Sequence, residues 1–264
     1  IRIRPGSVVR IVLNDDGKTW TLTQTPEVEG GLVSMHPRTG EITALVGGFD
    51  FSKNKFNHVT QSIRQPGSSF KPFIYSAAIE KGITPTTVVN DAPLFFSAEE
   101  TGSEAWEPQN YDDKFDGPLT VRRALALSKN MVSIRVLQVV GTQNAQKWVT
   151  RFGFEAAKHP PYLTMALGAG SVNPLQMVVG YSVFANGGHL VSPKLIRTIR
   201  DQRKRVLFQA TDTTLDSSNQ VISARNAFMV GDLLNEVARS GTGARAQREL
   251  KRPDLFGKTG TTND

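Results

Sequence analysis

The sequence predicts an α/β (α+β) protein in which a mixed antiparallel sheet packs against a helical region. Segments rich in β-branched residues stand near both ends of the chain, and segments with helical spacing of apolar residues lie between them. The 264 residues suffice for one large domain, or for one domain with a small appendage. This order of elements favours a sheet covered by helices.

The first part of the chain is expected to contain two hairpins. Residues 1–29 hold the strand-like segments VVRIVL and TWTLTQT around a turn at 14–17. We assign 1–29 to a linker region or to part of a neighbouring module, and 30–264 to the main domain. After Gly30, LVSMHP and EITALVGG flank the turn Arg-Thr-Gly and predict the second hairpin.

The helical region is expected to begin with SSFKPFIYSAAIEKG, which stops at Gly82. Pro72 is tolerated only in a first turn, so this helix should start near Ser68 or Ser69. Residues 83–119 look loop-rich, and Thr120 should then cap one interrupted helix that ends at Gly141. The further elements are expected to be helices at 144–154, 173–188 and 223–239, and a strand–turn–strand at 189–211 with the basic tip 200–205.

Composition excludes several kinds of chemistry. The chain has no cysteine, which removes thiol catalysis, disulfides and cysteine-bound zinc. The four histidines are scattered without metal-ligand spacing, so we expect no metal and no cofactor. The net charge of +7 suits an anionic partner, but an evenly basic surface explains it equally well because the charges do not cluster. No apolar run reaches membrane-spanning length.

The segment Gly257-Lys258-Thr259 resembles the end of a phosphate-binding loop, but its spacing argues against one. Such a loop needs a glycine five positions before Gly257, and Arg252 and Pro253 stand there instead. Small and hydroxyl-bearing residues follow, which suits a strand edge that a ligand approaches closely.

A serine nucleophile without a histidine needs another base, and a lysine one helical turn away can serve. This S-x-x-K pattern occurs at Ser52/Lys55, in a polar loop, and at Ser68/Lys71, where an apolar helix begins. The helix N-terminus and apolar neighbours favour the second pair, because they stabilise a developing anion and lower the pKa of a buried lysine.

A companion S-x-N pattern is weaker, because it occurs four times. Ser128-Lys129-Asn130 interrupts an apolar helix, where core residues would be expected. Loop or turn roles suffice for the others, at Ser52, Ser171 and Ser217.

Taken in order, Ser68-Ser69-Phe70-Lys71, Ser128-Lys129-Asn130 and Lys258-Thr259-Gly260-Thr261 resemble the S-x-x-K, S-x-N and K-T-G motifs of penicillin-binding proteins and serine β-lactamases. The segments around these motifs are similar to class A, bifunctional penicillin-binding proteins of the 1a type. These segments are RQPGSSFKPF, WEPQNYDDKFDGPLTVRRALALSKN, LGAGSVNPLQMVVGYSVFANGG and SGTGARA. The similarity runs from about Gly30 to the end of the chain.

The resemblance implies a serine D,D-transpeptidase of peptidoglycan synthesis that β-lactams acylate. Ser68 would be the nucleophile and Lys71 its base. Ser128 would relay a proton to the leaving amine, and Asn130 would orient Lys71 and the substrate. Lys258 would lower the pKa of Lys71.

The K-T-G segment would bind the substrate. Thr259 and Thr261, together with Lys258, would hold the terminal carboxylate, and Gly260 would let the substrate lie close to the backbone. The backbone N–H groups of Ser68 and Thr261 would form the oxyanion hole.

The resemblance also implies partners and a location. The substrates would be two peptidoglycan stem peptides, a D-alanyl-D-alanine donor and an amine acceptor, and no nucleic acid is expected. The whole protein would carry a glycosyltransferase domain and a membrane anchor upstream, would face the periplasm from the inner membrane, and could meet cell-wall-elongation partners. The family's sheet continues into further strands and a helix after K-T-G, so we expect the intact protein to extend beyond Asp264.

Two alternatives remain open. A β-lactamase or D,D-carboxypeptidase would use the same acylation, although Glu155, the one glutamate within 142–222, lacks the surroundings of a deacylating base. A non-catalytic module that binds an anionic polymer would need only the positive charge.

Overall fold

The computed structural model describes residues 3–101 and 104–261. In this part of the chain eight strands form four two-stranded antiparallel sheets. The pairs are β1 (Arg10–Leu13) with β2 (Trp20–Thr23), β3 (Leu32–Met35) with β4 (Ile42–Val46), β5 (Val88–Asp91) with β6 (Gly117–Thr120), and β7 (Thr198–Arg200) with β8 (Val206–Gln209). The α/β class and the antiparallel pairing are confirmed, while the strands form separate pairs instead of one sheet.

Eight α-helices lie in the same described residues. They are α1 (Lys71–Glu80), α2 (Ala98–Thr101), α3 (Val121–Ala126), α4 (Asn130–Val140), α5 (Thr142–Val149), α6 (Pro174–Ala185), α7 (Ala224–Ser240) and α8 (Ala244–Leu250). None of the helices in the described ranges is both long and apolar enough to cross a bilayer.

The central helix α1 is surrounded by protein. Every residue from Lys71 to Ile79 is buried, and α1 packs against α4, α5 and α7. Its sequence is apolar on all sides, which is typical of a helix inside a core. The rings of Phe73, Phe152 and Phe184 meet beside it, with centroids about 5 Å apart.

Several element boundaries differ from expectation. A 3₁₀ turn, Gly67–Phe70, precedes α1, which places Pro72 in the first turn of α1 as its ring geometry requires. The helix expected over 121–140 is two helices, because the backbone of Ser128 is left-handed (φ 59°). The helix expected at 144–154 is α5 followed by a 3₁₀ turn, Thr150–Phe152. The region 83–119, expected as loop, contains β5 and most of β6.

Candidate active site

The Ser68 turn lies against the other end of the described chain. Ser68 belongs to the 3₁₀ turn, and Gly67 before it has a positive φ of 56°. A Cβ atom on Gly67 would come within 2.1 Å of the Thr261 carbonyl oxygen. Glycine is therefore required here, because only its bare backbone permits both this conformation and this approach.

Two further hydrogen bonds fix the turn. The Ser69 hydroxyl donates to the Pro66 carbonyl at 2.6 Å, and the hydroxyl of the partly buried Tyr181 donates to the Ser69 carbonyl at 2.6 Å. Tyr181 comes from α6, so a distant helix holds the backbone next to Ser68.

The Lys71 side chain is fully buried at the start of α1. Its Nζ donates to the Ser128 carbonyl and to Asn130 Oδ1, both at 2.7 Å, and lies 3.3 Å from Ser128 Oγ. The pKa of Lys71 is well below its usual value, chiefly because burial penalises the charged form and further because of the Lys258 charge. Asp91 acts in the opposite direction.

The break between α3 and α4 brings Ser128 to this amine. The left-handed Ser128 ends α3, and Asn130 begins α4 shortly after it. Ser128 Oγ consequently lies between two lysines, 3.3 Å from Lys71 Nζ and 2.8 Å from Lys258 Nζ. This arrangement gives the hydroxyl a proton donor on one side and a weakly basic amine on the other.

The segment 258–261 closes the third side of the site. Burial lowers the pKa of Lys258 to about 8, and its Nζ also donates to the Thr259 carbonyl at 3.0 Å. The hydroxyls of Thr259 and Thr242 are hydrogen-bonded at 2.6 Å. The expected strand is not formed at this segment, because no described strand lies alongside it to complete a ladder.

A cleft of about 770 Å³ lies between these elements. Among the predicted residues, Ser68, Ser128, Asn130, Thr259 and Thr261 line it. Lys71 lies beneath it, bonded to the residues of the S-x-N turn. The structure thus brings the predicted site residues together, with Gly260 packed against Ser69 and Pro66.

The competing motifs lie elsewhere. Ser52 is exposed, and its hydroxyl donates to Asp50 at 2.7 Å in a local turn. Asn173 caps α6 by accepting from the Gln176 N–H. Asn219 lies in the turn with Asp216 and Ser218. In the described ranges no group of three or more acidic or histidine side chains could hold a metal ion.

Several residues around the cleft had no role assigned from the sequence. Trp106, Tyr111 and Thr242 line it, and Asn110 lies beneath its S-x-N turn. Trp106, Asn110 and Tyr111 belong to the word WEPQNYDDKFDGPLT, which carried the resemblance without a role for its residues. Their proximity to Ser128 depends on tertiary contacts, which helix and strand periodicity cannot indicate.

Comparison with known proteins identifies the family. Residues 30–264 match the family model described as the penicillin-binding protein transpeptidase domain. The chain belongs to this family. Three penicillin-binding protein motifs in the expected order therefore form the cleft described above.

Curated relatives are similar along the whole chain. The chain is 47% identical over 264 residues to penicillin-binding protein 1A of Neisseria flavescens, covering 100% of this chain and 33% of the relative. It is 43% identical to penicillin-binding protein 1A of Vibrio cholerae, covering 93% of this chain and 33% of the relative. The chain thus spans about a third of the length of the curated relatives it matches.

Solved structures are similar in fold. Penicillin-binding protein 1A of Haemophilus influenzae superposes with a TM-score of 0.89 at 37% identity, over 96% of this chain and 42% of that one. A D,D-transpeptidase domain from Eggerthella lenta superposes with a TM-score of 0.75 at 20% identity, over 97% of this chain and 84% of that one. The second likeness bears on the fold alone.

Proposed function

We propose that this chain is a serine D,D-transpeptidase domain that cross-links peptidoglycan stem peptides through an acyl-enzyme on Ser68. The observation that carries the proposal is the environment of Lys71. Its buried amine has a strongly lowered pKa and contacts both Ser128 and Asn130, one helical turn from Ser68. A lysine held neutral in this way can act as a general base.

Acylation follows from these contacts. The neutral Lys71 amine donates N–H bonds to the Ser128 carbonyl and to Asn130, and its lone pair accepts the Ser68 proton. Ser68 Oγ forms a bond to the carbonyl carbon of the penultimate D-alanine, and the amide C–N bond breaks. Ser128, hydrogen-bonded to Lys258, passes its proton to the leaving nitrogen and receives in its place the proton that Lys71 took from Ser68, and D-alanine departs.

Binding and deacylation use the opposite wall. Lys258 and the hydroxyls of Thr259 and Thr261 hold the donor's carboxylate, and the Ser68 and Thr261 N–H groups stabilise the oxyanion. Gly260 leaves room for the substrate backbone. An acceptor amine from a second stem peptide then attacks the ester carbonyl. A C–N bond forms, the acyl C–Oγ bond to Ser68 breaks, and the proton that the acceptor amine loses returns through Lys71 to Ser68. A β-lactam acylates the same serine and remains attached.

The whole protein extends this proposal. Because the relatives named penicillin-binding protein 1A are about three times as long, we propose that the intact protein adds a glycosyltransferase domain and a membrane anchor. It would then work at the periplasmic face of the inner membrane, where elongation partners could recruit it. The boundary at Gly30, between linker and transpeptidase domain, belongs to the same proposal.

Labelling with a fluorescent penicillin tests the proposal. The wild-type protein and the variant Ser52→Ala should become stably labelled, whereas Ser68→Ala should not. Ser52 is a matched control because it has the same S-x-x-K spacing in an exposed loop. Donor peptide ending in D-alanyl-D-alanine, mixed with an amine acceptor, should release D-alanine and yield the cross-linked product.

The alternatives give different results. Rapid release of penicilloate from Ser68 would indicate a β-lactamase, and release of D-alanine without cross-linking would indicate a carboxypeptidase. In the structure Glu155 is exposed and pairs with Lys158 at 2.9 Å, which does not favour it as a deacylating base. Labelling that survives in Ser68→Ala would overturn the proposal and favour a polymer-binding module.

A further inference from the structure

A buried polar network lies directly beneath the S-x-N turn. Asp91 at the end of β5 is 0% exposed, while Asn110 and Lys129 are each 3% exposed. Burying such groups is costly unless each is hydrogen-bonded or paired. Packing alone does not account for a buried polar network next to Ser128 and Asn130.

The Asn110 amide has one possible orientation. Its Nδ2 donates to Asp91 Oδ1 at 2.9 Å and Oδ2 at 3.1 Å and to the Lys114 carbonyl at 2.7 Å. Its Oδ1 accepts from the Asn130 backbone N–H at 2.7 Å. A flipped amide would place oxygen against a carboxylate and NH₂ against an N–H, so Asp91 fixes the amide orientation.

This amide caps helix α4 from a distant part of the chain. The Asn130 N–H opens α4 and has no partner within the helix, and the residue at the cap position, Lys129, makes no side-chain capping bond. Asn110 supplies the oxygen that a serine or aspartate would supply at an ordinary N-cap. The position of Asn130 therefore depends on a residue 20 positions earlier.

Gln109, which precedes Asn110 in the sequence, holds the Asn130 side chain. Asn130 Nδ2 donates to the Gln109 carbonyl at 2.8 Å, which directs Oδ1 to Lys71 Nζ at 2.7 Å. Residues 109 and 110 thus hold Asn130 at both its backbone and its side chain.

Lys129 joins the same segment to the turn. Its Nζ lies 2.9 Å from Asp116, 3.2 Å from Asp112 and 3.5 Å from Asp91. The pairs with Asp112 and Asp116 hold the segment 110–116 against Lys129, the residue between Ser128 and Asn130. The segment is therefore anchored at a point where a displacement would reach both Ser128 and Asn130.

We propose that Asn110, oriented by Asp91, is a positioning residue that fixes Asn130 and through it aims the Lys71 amine at the Ser68 hydroxyl. This inference rests on the proposed function and deepens it. Residues 110–113 (NYDD) then hold the S-x-N turn in a fixed position relative to Lys71.

A double-mutant cycle tests the proposal. The rate of acylation by a fluorescent penicillin is measured for Asn110→Ala, Asn130→Ala and the double variant, each below its own melting temperature. Asn110→Ala should slow acylation roughly tenfold or more, because it leaves the Asn130 N–H without its acceptor and removes two of the hydrogen bonds to Asp91. In the Asn130→Ala background the same change should slow it by less than about twofold, because the route to Lys71 is already lost.

The controls separate structure from positioning. Lys114→Ala, in the same segment but with an exposed side chain, should acylate as the wild type does. If Asn110→Ala does not fold, Asp91→Asn serves in the same cycle, because it keeps the size of the side chain and removes the orienting carboxylate. The proposal would be overturned if Asn110→Ala slowed acylation by the same factor in the wild-type and Asn130→Ala backgrounds. A wild-type acylation rate in Asn110→Ala would overturn it as well. A wild-type protein that is not labelled would instead contradict the proposed function.

Discussion

Removal of the Lys258 charge should shift the pH dependence of the acylation rate. The pH at which the rate reaches half its maximum should become higher. Lys71 Nζ and Lys258 Nζ lie 3.3 and 2.8 Å from the same Ser128 Oγ, so the two nitrogens are at most about 6 Å apart. Two unit charges at roughly 6 Å repel by about 3 kcal/mol at an effective dielectric constant near 20. This repulsion adds to burial in lowering the pKa of Lys71.

The sign follows from the reactive form of Lys71. In the proposed mechanism acylation requires its neutral amine, so the rate should rise as pH passes upward through the pKa of Lys71. Lys258 has a pKa of about 8 and is charged below that pH. In Lys258→Met this charge is absent, so the pKa of Lys71 should rise and the half-maximal rate should be reached at a higher pH.

The assay is the rate of labelling by a fluorescent penicillin across a series of pH values. Lys258→Arg is the matched control, because it keeps the charge. The pH at which its acylation rate is half-maximal should stay near that of the wild type. Both variants should lose absolute rate, since Lys258 also bonds Ser128, and the informative quantity is the midpoint. An unchanged midpoint in Lys258→Met, or equal shifts in both variants, would refute this electrostatic coupling.

Three further changes should have distinct effects. Tyr181→Phe removes the hydroxyl that donates to the Ser69 carbonyl and should cost about 1–2 kcal/mol of stability and slow labelling, as thermal unfolding and penicillin binding will show. Gly67→Ala should abolish labelling, because its Cβ would lie 2.1 Å from the Thr261 oxygen. Burial lowers the pKa of His159 to about 4, so the melting temperature should fall as pH drops from about 6.5 to 4, and fall less in His159→Phe.

Matched variants accompany these three. Tyr162→Phe alters an exposed tyrosine and should change neither stability nor labelling. Gly82→Ala tests a positive φ of 90° in open space, so it should cost stability without loss of labelling. Labelling of Gly67→Ala at the wild-type rate would contradict the expectation for Gly67, and equal melting temperatures for Tyr181→Phe and wild type would contradict that for Tyr181. For His159, the contradicting result is a melting temperature that falls with pH equally in His159→Phe and in the wild type.

Motif context was sufficient to predict which side chains meet at the cleft. Ser68 and Lys71 could be chosen over Ser52 and Lys55 because an apolar helix begins at the first pair and buries the lysine. The break at Ser128 was visible as a polar interruption of an apolar helix. Local sequence therefore encodes the positions that depend on a helix start or a helix break.

Residues that act across long separations could not be predicted in this way. Asn110 is 20 positions from Asn130, and Tyr181 is 112 positions from Ser69. Periodicity and capping rules describe neighbours within a few residues, so these partners become visible only in the fold. The strands β5 and β6 were missed for a related reason: GPLT begins with two residues that are uncommon in strands, and VVND ends in polar ones.

The contact between Lys258 and Ser128 joins residues 130 positions apart, so it can form only after the chain up to residue 258 is available. Closing the intervening chain costs entropy, and earlier packing of the intervening helices lowers that cost. Helices α1, α3 and α4 can pack before the segment 258–261 arrives, but the cleft then lacks one wall. If Ser68 acts as proposed, we expect a chain still emerging during its synthesis to bind penicillin covalently only after the segment 258–261 has docked.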